Sequence, residues 1–199
     1  MSASVFRHPV LLLAAIEMRV RLRRLSTVVA LLAVAAVTWA MIPGAGSGQA
    51  LLVVDDARVS YTSSALAIGS ATMASLLFSL AGFYLARGRS GEDLRSGIGG
   101  AIGATPAGDA LLVCSRWLGA VAWLILLLGA FMLTTFACHL LRGDGPIQPL
   151  VYLQTYALML LPMALFAASC AVLFDSWSPL MGKGGDLLYF CLWMAQLSI

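Results

Sequence analysis

Charge is what this chain has least of: 11% of its 199 residues are Asp, Glu, Lys or Arg. A soluble domain carries roughly 25%. With 61% hydrophobic residues and a mean hydropathy of +0.94, so few charges cannot cover a surface facing water. A soluble globular fold is excluded on that ground, and the bilayer is the solvent that suits this composition. The net charge of +3 is small and gives no footing for a nucleic-acid partner.

Other absences narrow the chemistry. No GxxxxGK[ST] phosphate loop occurs, and the nearest echo, Gly182-Lys183-Gly184, lacks the preceding spacing and the Ser/Thr. The only histidines, His8 and His139, fall at membrane edges on opposite sides, which leaves nothing for Ser/His/Asp catalysis. Four cysteines are scattered without a CxxC pair, so neither a disulfide scaffold nor a zinc site is indicated. Cys138-His139 is the one close pair, but neighbours on a helix point about 100° apart. An interfacial histidine is the plainer reading of it. The span interiors hold no Asp, Glu, Lys or Arg, whereas carriers coupled to protons need ionisable groups there. The chain is expected to be no enzyme, with no catalytic, cofactor-binding or metal residues. Any energy it uses has to come from elsewhere.

What is present is a series of apolar runs. Residues 5–24, VFRHPVLLLAAIEMRVRLRR, mix apolar side chains with Arg19, Arg21, Arg23 and Arg24 and read as an amphipathic helix at the membrane surface. The same arginines before STVVALLAVAAVTWAMI could head a secretory signal cut near GAGSGQA. The length of the run and the membranous remainder favour a retained first span. Five apolar stretches follow, at about 26–42, 63–86, 112–140, 151–174 and 186–199, each near the roughly 20 residues that cross a hydrocarbon core. The third is long enough to tilt or to extend past the membrane, and Pro162 predicts a kink in the fourth. The fifth is still apolar at Ile199, which suggests a truncated sequence or a missing final span. The expected fold is all-α: a polytopic bundle with five visible spans of six, an interfacial helix over 1–25 and a membrane domain over 26–199.

Orientation follows from the basic residues. With the N-terminus in the cytosol, inner segments hold Arg7, Arg19, Arg21, Arg23, Arg24, Arg87, Arg89, Arg95, Arg116 and Lys183. The outer loops, 43–62 and 141–150, hold only Arg58 and Arg142. That asymmetry satisfies the positive-inside rule and places the loop 87–111 in the cytosol.

Two features carry functional weight. Ala67, Ala71, Ser75 and Ser79 recur every fourth position in the second span, a ladder that lets another helix approach closely. Ordinary Ala and Ser abundance in membrane helices explains it equally well. The strip GEDLRSGIGGAIGATPAG (91–108) places Leu94, Ile98 and Ile102 on one helical stripe behind Glu92 and Asp93, which suit a first turn. Gly97, Gly99, Gly100 and Gly103 each cost about 1 kcal/mol of helix propensity, so such a helix needs a surface to dock on. Thr105-Pro106 ends it. A plain flexible loop is the competing reading.

Between the exit of span two, AGFYLARGRSGEDLRSG, and the start of span three, ATPAGDALLVCSRWLGAVAWLILLLG, the arrangement resembles the permease subunits of ABC transporters of the second type. The similarity extends over nearly the whole chain and is most specific over 84–120. It implies six spans per subunit and a coupling helix that docks in a groove of a separate ATPase subunit. Carried over, Glu92, Asp93, Leu94 and Arg95 begin that contact, Ile98 and Ile102 form its apolar side, and Thr105 and Pro106 close it. Arg116 starts span three, and the N-terminal helix matches the family's connecting helix. The resemblance further implies a partner permease (a second copy or a paralogue), membrane lipids around both, and ATP with Mg in the partner ATPase rather than in this chain. The setting it implies is the bacterial inner membrane, and export is the expected direction. Where relatives carry bulkier residues, this chain has GIGGAIG, and no sixth span follows Ile199. A membrane scaffold or assembly factor without transport, and a small facilitator or channel, are the alternatives.

Overall fold

The computed structural model describes residues 9–44, 51, 53–54, 57–88, 96–97, 100 and 108–198. Six α-helices stand among them: α1 (Pro9–Leu22), α2 (Leu25–Met41), α3 (Ser63–Ala86), α4 (Asp109–Arg142), α5 (Pro149–Ser176) and α6 (Lys183–Leu197). A 3₁₀ turn, Ser178–Leu180, joins the last two. The only β pairing among the described residues is a two-rung antiparallel ladder of Val53–Val54 (β1) with Ala57–Arg58 (β2), Val53 lying opposite Arg58. The described residues are overwhelmingly helical, in keeping with the composition.

Helix ends follow local chemistry. Thr62 caps α3: its hydroxyl accepts from the Ala65 N–H at 3.4 Å and its carbonyl from Leu66 N–H at 3.0 Å. Gly88 stops the same helix at φ +101°, the left-handed region in which a side chain would be strained. Asp109 lies in the first turn of α4, where negative charge suits the helix dipole. Pro149 opens α5, where its missing N–H is not needed.

Three helices are long and apolar enough to cross a membrane: α3, α4 and α5, of 24, 34 and 28 residues. At 1.5 Å per residue α4 reaches about 51 Å, well beyond a hydrocarbon core of about 30 Å. Helices α1 and α2 make a fourth candidate only if counted together across a 76° bend at their break. The expected fifth span is not shown. Its residues form α6, 15 residues with Asp186 in the first turn, about 22 Å long and short of a full crossing. Helix α5 continues through Pro162 without a break in its helical assignment.

Packing divides the chain into two compact units, with one boundary at the break between α1 and α2 and the others inside the three long helices. The first comprises Met1–Arg23, Phe78–Leu124 and Ala164–Ile199. Its core is built on Phe83, Trp123, Leu124, Ala167, Ala171, Phe174 and Tyr189, all buried. In α1 exposure alternates with helical period: Leu12, Ile16 and Arg19 are exposed while Glu17 is half-buried and Arg21 buried. The buried side of α1 crosses α4 at Gly119, where a Cβ would collide with the Glu17 side chain.

The second unit comprises Arg24–Leu77 and Ile125–Met163. Its core, with Leu66, Ala71, Leu127, Phe131 and Leu160, includes neutral polar pairs. His139 Nδ1 and Tyr152 Oη lie 2.6 Å apart, and Ser70 Oγ and Tyr156 Oη 2.8 Å apart. The loop before α5 is stitched to the start of α3: Tyr61 N–H donates to Asp144 Oδ2 and accepts at its carbonyl from Asp144 N–H (3.3 and 2.9 Å). Ser63 donates to the Pro146 carbonyl and accepts from Gln148 N–H, both at 3.0 Å. Arg142 lies over the Trp39 ring at 4.0 Å and donates to the carbonyls of Trp39 and Ile42, closing the end of α2.

If α1 is seated through Gly119, then Gly119→Leu forces Glu17 away and lowers stability by about 1–3 kcal/mol, the usual cost of overpacking. Thermal unfolding in detergent, together with faster tryptic cleavage after Arg19 or Arg23, checks this; unchanged values for both would contradict the close crossing.

Candidate functional site

The richest polar cluster among the described residues gathers at the end of α3, inside the first unit. Helix α3 ends in carbonyls that have no donor within the helix, and in apolar surroundings each such group is costly to leave unmade. Arg21, on the docked face of α1, supplies the donors. Its Nη1 bonds the Leu85 carbonyl at 3.2 Å and its Nη2 the Ala86 carbonyl at 3.0 Å. Glu17, one turn earlier, holds the Arg21 Nε at 3.2 Å. Cation and carbonyls are matched in sign too, since a helix C-terminus favours positive charge.

Arg87, the next residue along, reaches the other way. Its Nε pairs with Asp175 Oδ1 at 3.3 Å, its Nη1 with Asp186 Oδ1, and its Nη2 with the carbonyls of Leu180 and Gly182. The guanidinium lies 5.3 Å from the Phe83 ring centroid and 5.7 Å from that of Phe174. One side chain thereby joins the end of α3, the end of α5, the 3₁₀ turn and the start of α6. The planar fork of arginine suits this, because it offers several fixed donors to several acceptors. Asp175 uses its second oxygen as well: Oδ2 accepts from the Gly88 N–H at 2.8 Å, fixing the first residue beyond the helix.

The two carboxylates are unequal. The Arg87 and Asp175 side chains are 6% and 10% exposed, against 44% for Asp186. Water screens the Asp186 arm, and an exposed pair contributes at most about 1 kcal/mol. The Asp175 arm is the one whose loss leaves a buried charge without its partner.

Aromatic stacking completes the joint. Phe83 stacks on Tyr189 with centroids 3.7 Å apart and meets Phe174 edge-on at 5.3 Å. Tyr189 Oη donates to the Ser79 carbonyl at 2.6 Å, Trp193 Nε1 to Ser79 Oγ at 2.8 Å, and Tyr84 Oη to the Asp186 carbonyl at 2.8 Å. Arg21, Arg116 and Asp175 line a shallow cleft beside this joint with Ala86, Ala120, Val172 and Ser176.

The residues nominated from sequence distribute as follows. Glu92, Asp93, Leu94, Arg95, Ile98, Ile102, Thr105 and Pro106 lie outside the described residues. Within that strip Gly97 is described and has φ +74°, so a right-handed helix does not pass through it. Ala67 and Ala71 are fully buried, Ser79 receives the two donors from α6, and Ser75 is half-buried and bonds back to the Thr72 carbonyl at 2.7 Å. His139, read as interfacial, is buried at 2% exposure against Tyr152. Among the described residues no group of three His, Cys, Asp or Glu side chains is placed to hold a metal.

Sequence reasoning missed Arg21 and Arg87 as structural centres, having counted them as topogenic charges. A signal was available. Arg87 is followed at once by glycine, as befits a residue that ends a helix, and Asp175 lies at the polar edge of an otherwise apolar run. Compared with protein-family models, characterised proteins and solved structures, the chain matches none.

Replacing Arg87 by Met strands Asp175 and lowers stability by about 3–5 kcal/mol, and Lys restores less than half of that because it lacks the fork. Asp175→Asn is expected to be more damaging than Asp186→Asn. Denaturant unfolding of the four variants checks the ranking, and equal effects at Asp175 and Asp186 would contradict it.

Proposed function

We propose that this chain is a membrane-spanning permease subunit of an ATP-driven ABC transporter, an exporter, working with a separate ATPase subunit and a second permease. The resemblance over residues 84–120 carries the reading, and it rests on those residues alone: span two ending in Arg-Gly, the charged pair Glu92-Asp93, the Thr105-Pro106 break, and Arg116 ahead of Trp117-Leu118-Gly119. The apolar helices and the joint around Arg87 are compatible with it, because they give the 89–107 segment a firm point of departure at Gly88. In this reading the chain supplies part of a six-span unit in the bacterial inner membrane, with its N-terminus in the cytosol.

The mechanism needs no chemistry in this chain. ATP and Mg bind and react in the partner. Closure of the ATPase subunits presses on the strip through Glu92, Asp93, Leu94 and Arg95, with Ile98 and Ile102 seated in an apolar groove. The displacement reaches α3 at Gly88 and passes through Arg87 and Asp175 to α5, and through Asp186 and Tyr189 to α6. Movement of the spans then opens a path between the two permeases. With no charge in the span interiors, that path is lined by hydroxyl, backbone and apolar groups.

The test is whether an ATPase subunit co-purifies with this chain from its native membrane. In Leu94→Asp and Ile98→Asp variants that still insert in the membrane, co-purification of the ATPase is expected to fall by tenfold or more, since each substitution buries an unpaired charge in the groove. Undiminished capture would remove the docking role. Absence of any ATPase partner would favour a membrane scaffold.

A further inference from the structure

The two long sides of α1 are unlike. One is fastened to the first unit by Glu17 against Gly119 and by Arg21 on the Leu85 and Ala86 carbonyls. On the other, Leu12, Ile16 and Arg19 follow at steps of four and three, which keeps them within about 60° of one another on a 3.6-residue helix, and Arg23 follows in the turn just past its end. All four are exposed, Leu12 by 39% and Ile16 by 49%, and Val20 beside them by 38%. Among the described residues no carboxylate pairs with Arg19 or Arg23.

We propose that this outward face of α1 is a docking surface for the headgroups of anionic phospholipids. A surface of two guanidinium groups four residues apart, with no carboxylate partner among the described residues and flanked by three aliphatic side chains, is complementary to a leaflet edge. The phosphates meet the arginine forks, and Leu12, Ile16 and Val20 enter the boundary of the acyl chains. A protein surface of opposite charge would satisfy the arginines but not place the aliphatic chains in hydrocarbon. A second copy of the same face would set Arg19 and Arg23 against their own equivalents. The lipid is therefore the occupant that uses both halves of the face.

The surface has a structural consequence. Arg21 closes the end of α3 from the opposite side of the same helix, so a leaflet that holds α1 down also holds the donors against Leu85 and Ala86. The inference does not use the permease reading and its test contains no ATPase, so the two fail separately.

The experiment uses the full chain in lipid nanodiscs, with its four cysteines replaced by serine and a bimane label placed through Ile16→Cys. Quenching is compared between brominated phosphatidylglycerol and brominated phosphatidylcholine at equal mole fraction, with Leu133→Cys, an exposed position on α4, as a control. The account predicts stronger quenching by phosphatidylglycerol at Ile16→Cys and none of that preference at Leu133→Cys. In an Arg19→Gln/Arg23→Gln background the preference is expected to fall by about fivefold per arginine, while Arg19→Lys/Arg23→Lys retains it. Equal quenching by the two lipids, or a preference that survives the glutamine pair, overturns the proposal. So does a label shielded from both lipids but crosslinked to a second protein, because the face is then covered by protein.

Discussion

Helix ends in an apolar medium are the constraint on which this structure depends. A helix satisfies its own backbone except at its termini, and the last carbonyls of each helix need donors that hydrocarbon cannot supply. This chain answers with arginine. Arg21 closes α3 at Leu85 and Ala86, Arg142 closes α2 at Trp39 and Ile42, and Arg87 bonds Leu180 and Gly182 at the joint ahead of α6. Three of the chain's few cations are thus committed to backbone oxygens, each from a different element than the one it closes. The fold is fastened at its ends, and the spans between are left to apolar packing.

The interior follows the complementary rule. Neutral pairs enter the second unit, Tyr152 with His139 Nδ1 and Tyr156 with Ser70, while His139 Nε2 and Tyr61 Oη are buried without a hydrogen-bond partner among the described residues. Small residues do the rest: Gly82 meets the Ala167 methyl closely, and Ala67, Ala71 and Ala168 are fully buried. Without a hydrophobic drive between helices in lipid, such close approach is what gives packing its strength. The charges that meet the packed interior gather near helix ends: Arg21 in the last turn of α1, Arg87 just past α3 and Asp175 in the last turn of α5.

Much of this was legible from the residues. The limits of α3 coincide with the apolar run because a capping Thr62 and a left-handed Gly88 bound it, both local signals. The length of α4 followed from an uninterrupted apolar stretch. The fifth span is not shown as a full crossing: its residues form the 15-residue α6, whose first-turn Asp186 pairs with Arg87, a contact that hydropathy alone does not register. The pairings of Arg87 join residues 88 and 99 positions apart, a separation at which periodicity carries no information. The four-residue ladder on α3 was visible, but each step of four turns about 40° further round the helix. Over three steps the face rotates, which is why Ala67 and Ala71 are buried, Ser75 is half-buried and Ser79 meets α6.

The claim that arginine caps hold the helix ends is tested most directly by hydrogen exchange along α3 in the intact protein and in Arg21→Gln. The account predicts faster exchange of the amides of residues 83–88 in the variant, by tenfold or more, with those of 66–76 unchanged. Identical exchange at 83–88 in the two proteins would contradict it.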